Sequence, residues 1–221
     1  MKKNLLKIYE SFFDDLDKLN QDKVNDEFGG TNSQVYDEHD FILSQDKNPE
    51  FFEGLCYMCR KYYPNLPSNE NGFTQNDLNN IIETYNNYNG FSYFKDVTSL
   101  DELQYFHNLE NIYFFSFYRC EKLKSIIFPE NLKIIKSFSF KCSSLKELIF
   151  PENLEMIDYN SFDKCNSLEK IIIPKNIQII RDQSFSNCFS LKEITIPEKF
   201  KDNMKNIFSK VDLSKVNITY I

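Results

Sequence analysis

Two thiols one helical turn apart, Cys56 and Cys59 in "GLCYMCRKYY", are the first residues whose spacing suggests chemistry. A helix would present both sulfurs on one side, where they could share a metal ion or exchange a disulfide. A closed metal site needs further ligands, yet there is no second C-x-x-C, and His39 and His107 are far away in sequence. The pair is therefore read as core packing. The run Asp37, Glu38, His39, Asp40 offers donors for a cation, and Asp14, Asp15 and Asp17 form a second acidic cluster. Both are read as solvated surface. Only five glycines are present, and none builds a phosphate-cradling loop. No Ser or Cys occupies a nucleophile elbow. The expectation is a chain without catalytic, cofactor-binding or metal-binding residues.

The other four cysteines belong to a series. Cys120, Cys142, Cys165 and Cys188 follow one another at 22, 23 and 23 residues. Leu123, Leu145, Leu168 and Leu191 keep the same steps, as do Pro129, Pro151, Pro174 and Pro197. A period of this length is the signature of stacked repeats. The second copy reads as one residue short between Phe140 and Cys142. Equivalent positions of stacked strands lie about 4.8 Å apart, and free cysteine packs as a small apolar residue. All four cysteines are expected in the core.

Each copy carries an L-x-x-I/L-x-F/I run: Leu123-Ile126-Phe128, Leu145-Leu148-Phe150, Leu168-Ile171-Ile173 and Leu191-Ile194-Ile196. Leu109-Ile112-Phe114 reads as an earlier, fifth strand. Alternating β-branched and aromatic residues suit short strands with one buried face. The proline that follows cannot donate to a ladder and ends the strand. A second apolar set comes next (Leu132/Ile135, Leu154/Ile157, Ile177/Ile180), then a Ser-Phe pair. One copy cannot bury these faces alone, whereas a stack can. Over about residues 95–200 the pattern resembles the BspA-like leucine-rich repeat family, with its F-x-x-C-x-x-L-x-x-I-x-I-P core. Ser116, Ser139, Ser161 and Ser184 stand where that family usually has Ala, and Lys136, Asp158 and Arg181 where it often has Gly. The resemblance implies a solenoid used for binding or adhesion.

In that fold, one strand face points away from the core. Its central column is Tyr113, Ile127, Ile149, Ile172 and Thr195. Beside it run Asn111, Ser125, Glu147, Lys170 and Glu193, then Glu110, Lys124, Lys146, Glu169 and Lys192. An apolar ridge rimmed by mixed charge is the anatomy of a protein-binding surface. A permanent cover by the N-terminal region or another subunit would use the same ridge.

The remainder of the chain must position this stack. Residues 198–209 have helical spacing through Phe200, Met204, Ile207 and Phe208, and "VNITYI" reads as a closing strand, so 198–221 is expected to cap the solenoid. Residues 1–88 are read as an acidic helical region. A first amphipathic helix carries Leu5 to Leu19, Gly29-Gly30 marks a turn, and a second helix begins at Pro49. A third follows Thr74, with Asp77 completing a capping box, and runs to about Asn86. Residues 89–221 form the repeat domain. The expected class is α+β: a leucine-rich-repeat solenoid of about five short strands with a helical N-terminal region.

Charge supports a division of roles. Residues 1–108 hold 9 Lys+Arg against 19 Asp+Glu, and residues 109–221 hold 17 against 14. Nucleic acid as the main ligand requires a dense basic surface, which neither half supplies. No apolar run approaches the ~20 residues of a membrane span. The start lacks an apolar signal core, so a cytoplasmic or virus-particle location is expected. The absence of alanine and the wealth of asparagine follow codon use in an AT-rich genome. Three readings result: a non-catalytic interaction module with a protein partner, a structural component of a phage particle or similar assembly, and an enzyme sited near the N-terminus, for which only Cys56, Cys59 and the acidic loop speak.

Overall fold

The computed structural model describes residues 41–43, 49–62, 72–81, 83–84 and 94–221. The helix expected over residues 5–19, the Gly29-Gly30 turn and the Asp37–Asp40 run lie outside them. The chain divides into two compact units, Met1–Asp37 and Glu38–Ile221, and every described element belongs to the second.

That unit is a coil of short parallel strands that visits two sheets in alternation. One face carries β4 (Ser99–Leu100), β6 (Ser125–Ile126), β8 (Glu147–Ile149), β10 (Lys170–Ile172), β12 (Glu193–Ile196) and β13 (Asn217–Tyr220). The other carries β3 (Glu83–Thr84), β5 (Asn111–Ile112), β7 (Ile134–Ile135), β9 (Met156–Ile157) and β11 (Ile179–Ile180). The second ladder is continuous, in the order β11-β9-β7-β5-β3. The first is interrupted: β4 pairs with β6, and β8, β10, β12 and β13 form a separate run. Near the start, β1 (Phe41–Leu43) pairs antiparallel with β2 (Phe73–Thr74). Helix α1 (Pro49–Tyr62) and helix α2 (Gln75–Asn79) flank β2.

Three sequence expectations are corrected here. Leu109-Ile112 is not a fifth copy of the Leu123-Ile126 strand, because β5 pairs with β7 in the other sheet, Ile112 opposite Ile135. Both half-repeats read L-x-x-I. What separates them is the sequel: Ile112 and Ile135 each precede a Ser-Phe pair, whereas Ile126 precedes Phe-Pro. The third helix stops at Asn79 instead of Asn86, and Glu83–Thr84 joins the ladder beside Asn111–Ile112. The capping box itself is present: Thr74 Oγ1 accepts from the Asp77 amide and Asp77 Oδ2 accepts from the Thr74 amide.

The third correction concerns the cysteines. Cys142 is only half-buried, and its backbone is left-handed at φ 66°. Arg119, Lys164 and Asn187 share that conformation at φ 58–63°, so Cys142 stands in their column. Ser143, 3% exposed, takes the core place of Cys120, Cys165 and Cys188, and its Oγ lies 3.2 Å from Cys165 Sγ. Each of these four residues sits three after its phenylalanine. The missing residue therefore falls after Ser143, in the turn before Leu145, and not between Phe140 and Cys142. The break between β6 and β8 falls at this same short turn. Desolvation, partly offset by Lys141 and Lys164, holds the Cys142 thiol above its ordinary value. A bulky thiol reagent in native buffer should modify Cys142 while Cys165 and Cys188 stay silent until denaturant is added. Equal labelling of all three would contradict the placement.

The core is organised in columns. Phe94, Phe117, Phe140, Phe162, Phe185 and Phe208 follow one another with ring centroids 5.0–5.3 Å apart. Helix α1 adds Phe51, 5.5 Å from Phe94. Strand spacing of about 4.8 Å leaves successive rings room for offset stacking and little else. Beside this column Phe128 stacks on Phe150 at 5.3 Å. Where strand and turn meet, the serines tie the coils together. Ser161 Oγ is directed at its own Asp158 carbonyl (2.6 Å) and at the Lys136 carbonyl of the preceding coil (3.2 Å). Ser139 and Ser184 repeat the arrangement. A hydroxyl at this position adds a coil-to-coil tie that a methyl group cannot make. Ser161→Ala should cost about 1 kcal/mol, the net worth of a buried hydrogen bond. Chemical denaturation that shows no loss would contradict the assignment.

Residues 198–221 behave as a further turn of the coil. Phe208 continues the aromatic column, Lys210 repeats the left-handed turn at φ 66°, and Ser209 O accepts from Asn187 N–H. A 3-10 turn (Glu198–Asn203) and helix α3 (Met204–Ile207) replace the second-sheet strand, and β13 extends the first sheet in parallel.

Candidate functional site

The outward face of the first sheet follows from strand alternation. Leu148, Ile171 and Ile194 turn inward and are at most 1% exposed. Their neighbours on either side must then face solvent. Register places Glu147, Lys170, Glu193 and Asn217 in one row, and Ile149, Ile172, Thr195 and Thr219 in the next. Ile127 is the corresponding residue after β6. Ile149 is 57% exposed and Ile127 45%, while Ile172 and Thr195 are half-buried. Four of the five expected central residues are thus brought onto one face.

Tyr113 is not among them. It follows β5 on the opposite sheet, is 7% exposed, and packs edge-on against Phe114 at 5.2 Å. Its carbonyl accepts from the hydroxyls of Ser116 and Ser139, so it serves the coil-to-coil tie. Glu110 and Asn111 lie on that sheet with it.

The rim consists of paired charges from adjacent coils. Lys170 Nζ lies 2.7 Å from Glu147 Oε1, and Lys192 Nζ lies 2.6 Å from Glu169 Oε2. The hydrogen bond from Lys192 holds the Glu169 carboxyl below its ordinary value, and the bond to Glu147 holds the Lys170 ammonium above its own. All four are wet, which screens their mutual attraction. Lys124 and Lys146 are exposed on the same border. The surface therefore offers an apolar ridge between charged rows that are neutralised internally.

Sequence reasoning missed two features. Ile134, Met156 and Ile179 are in register along the outside of the second sheet, a second apolar column, with Ile179 38% exposed. The signal was the doubled apolar residue before each Ile135-type position. The other is Asp163, 4% exposed, whose Oδ2 lies 2.9 Å from Lys141 Nζ and whose Oδ1 accepts from Asn187 Nδ2 at 2.7 Å. Lys141 and Asp163 are opposite charges one period apart, and that pattern was readable.

Of the residues first considered for chemistry, Cys59 is buried within α1, and burial, followed by the nearby Cys56 and Asp77, pushes its thiol up to about 12. At neutral pH it is a protonated, packed side chain. Among the described residues, no three His, Cys, Asp or Glu side chains converge as metal ligands, and no helix is long and apolar enough to cross a membrane.

Comparison with known proteins adds a family. The model described as the BspA type leucine rich repeat region matches residues 69–188 and 156–220, in six copies. The search of curated proteins gave no match. Among solved structures, the T. pallidum leucine rich repeat protein TpLRR is similar at 25% identity and TM-score 0.36, covering 44% of this chain and 50% of that one. A leucine-rich repeat protein from Bacteroides ovatus is similar at 21% identity and TM-score 0.46, covering 63% and 39%. The pneumococcal vaccine antigen PcpA is similar at 22% identity and TM-score 0.39, covering 52% and 28%. The chain spans half or less of the length of these three proteins.

Proposed function

The chain belongs to the family of BspA type leucine rich repeat proteins, and from that premise we propose that it is a non-catalytic module that binds a protein partner on the outward face of β6, β8, β10 and β12. Repeat folds of this family are generally protein-interaction modules. The observation that carries the reading is the contrast between columns: Leu148, Ile171 and Ile194 on the inner side are sealed, while Ile127 and Ile149 stand exposed on the outer side with half-buried Ile172 continuing their row. Covering the part of these side chains still in water would return a fraction of the roughly 1.5–3 kcal/mol that full burial of an aliphatic side chain supplies. A partner with an apolar strip and sparse charge recovers that energy without having to desolvate the Glu147–Lys170 and Glu169–Lys192 pairs. The site commits to the ridge of Ile127, Ile149, Ile172 and Thr195, with Lys124, Lys146, Glu147 and Lys170 at its rim. Cys59 itself is buried and packed within α1, which makes its thiol a poor nucleophile where it stands.

The two faces provide the experiment. Immobilised protein is exposed to extract from its native source, and the retained proteins are compared between Ile149→Lys and Ile179→Lys. The partner should vanish with Ile149→Lys and persist with Ile179→Lys. Loss with Ile179→Lys alone would move the site to the second sheet.

A further inference from the structure

The charges nearest the ridge cancel one another, but those farther out do not. Glu147 and Lys170 pair across adjacent coils, as do Glu169 and Lys192. Lys124 and Lys146, where the strands begin, are exposed, and so are Glu130 and Glu152, past the prolines that end them. Among the described residues, none of these four side chains takes part in an ion pair. Glu169, which follows Lys146 in its row, is already bonded to Lys192.

Their placement is regular. Lys124 stands three residues before Ile127 and Glu130 three after it, and Lys146 and Glu152 bracket Ile149 in the same way. Ile127 and Ile149 are the most exposed isoleucines of the ridge. At about 3.3 Å per residue, each charge lies at most about 10 Å from its isoleucine. At these two coils the ridge thus runs between a basic border and an acidic one. The pattern stops at the next coil, where exposed Lys175 takes the place of Glu152.

With the docking ridge proposed above as its basis, we infer that the occupant is an amphipathic α-helix of the partner, laid across the strands, with an acidic flank and a basic flank beside its apolar stripe. Charge complementarity sets the flanks: the acidic one meets Lys124 and Lys146, and the basic one meets Glu130 and Glu152 over two turns, stopping short of Lys175. Flanks of this kind supply specificity and encounter rate, while the apolar stripe supplies affinity. The geometry of a sheet face selects a helix over an extended segment. Ladder bonds run in the plane of the sheet, as between β10 and its neighbours β8 and β12, so a strand lying on the face has none to join. Its N–H and C=O groups over the ridge would be dried without partners, whereas a helix satisfies its own. A helix about 10–12 Å across sits between the two borders, within reach of long charged side chains. Its pitch of about 5.4 Å is close to the strand spacing of about 4.8 Å, so one turn meets each isoleucine.

Calorimetric titration of the full chain with two synthetic helical peptides tests the inference. Both carry one leucine stripe and the same charged residues. In the first, glutamates line one flank and lysines occupy two turns of the other. In the second, glutamate and lysine alternate on both flanks. The first should bind at least about tenfold more tightly at low ionic strength, an advantage that added salt screens. Lys146→Glu and Glu152→Lys, each checked for an intact fold by thermal melting, should each shrink that advantage several-fold. Ile149→Lys should abolish binding of both peptides. Equal binding of the two, lost with Ile149→Lys, overturns the inference and leaves the ridge a docking surface. An advantage untouched by Lys146→Glu and Glu152→Lys overturns it as well. Binding that survives Ile149→Lys overturns the inference and the docking ridge together. If neither peptide binds, the helical occupant is overturned, and the comparison of Ile149→Lys with Ile179→Lys in native extract decides the ridge separately.

Discussion

Phe162→Ala should destabilise the protein by about 3–5 kcal/mol, the usual range for deleting a buried aromatic side chain. Phe162 lies in the middle of the ring column, 5.1 Å from Phe140 and 5.2 Å from Phe185, and meets Phe150 edge-on at 5.6 Å. It is fully buried. Truncation removes three ring contacts at once and leaves a void that the stack cannot close. Its neighbours belong to coils whose spacing is fixed by backbone ladders on both faces: Ile172 pairs with Ile149, and Ile157 pairs with Ile135 and Ile180. A column held open in this way collapses poorly, so the upper part of the range is expected. Denaturant unfolding at constant m-value checks it. A loss under about 1 kcal/mol, far below the usual range, would mean that the phenylalanine column is not the organising element of the core.

The same mutation bears on cooperativity. In a stacked array each coil contacts mainly its neighbours, and a weak internal interface can divide unfolding into stages. The first-sheet ladder is already interrupted between β6 and β8. The aromatic columns bridge that gap through Phe117–Phe140 and Phe128–Phe150. Side-chain stacking, together with turn hydrogen bonds such as those from Phe117 N–H to Ser139 O and from Arg119 N–H to Lys141 O, therefore joins the two halves of the first face in place of strand pairing.

The repeat pattern revealed the stack because leucine, isoleucine and phenylalanine at a fixed step can be buried only by a copy of the same unit. It could not reveal which half-repeat the Leu109-Ile112 pair belongs to until the Ser-Phe pair downstream was used as the ruler. The same ambiguity puts Tyr113 on the wrong sheet. Matching cysteine to cysteine places Cys142 in the core, whereas the constant three-residue step from phenylalanine selects Ser143. The final coil was obscured further. Val211 occupies the cysteine place and a short helix replaces a strand, so its periodicity is visible mainly in Phe208 and Ile218. The ridge of Ile127, Ile149 and Ile172 was legible in full, because strand alternation and period together determine which residues share an outward row.

That ridge is the central claim, and Ile149→Lys tests it most directly. Ile149 is the most exposed of the three isoleucines and stands between the other two. A lysine there adds a charge to the middle of the docking surface, where truncation of a hot-spot residue alone typically costs at least about 2 kcal/mol. Two quantities are read on one variant: thermal melting of the free protein, and affinity for the captured partner by calorimetry. The melting temperature should be unchanged and the affinity reduced at least about 30-fold, the equivalent of about 2 kcal/mol. A lowered melting temperature with undiminished affinity would contradict it, and would show that the ridge is covered within the protein and does not bind a partner.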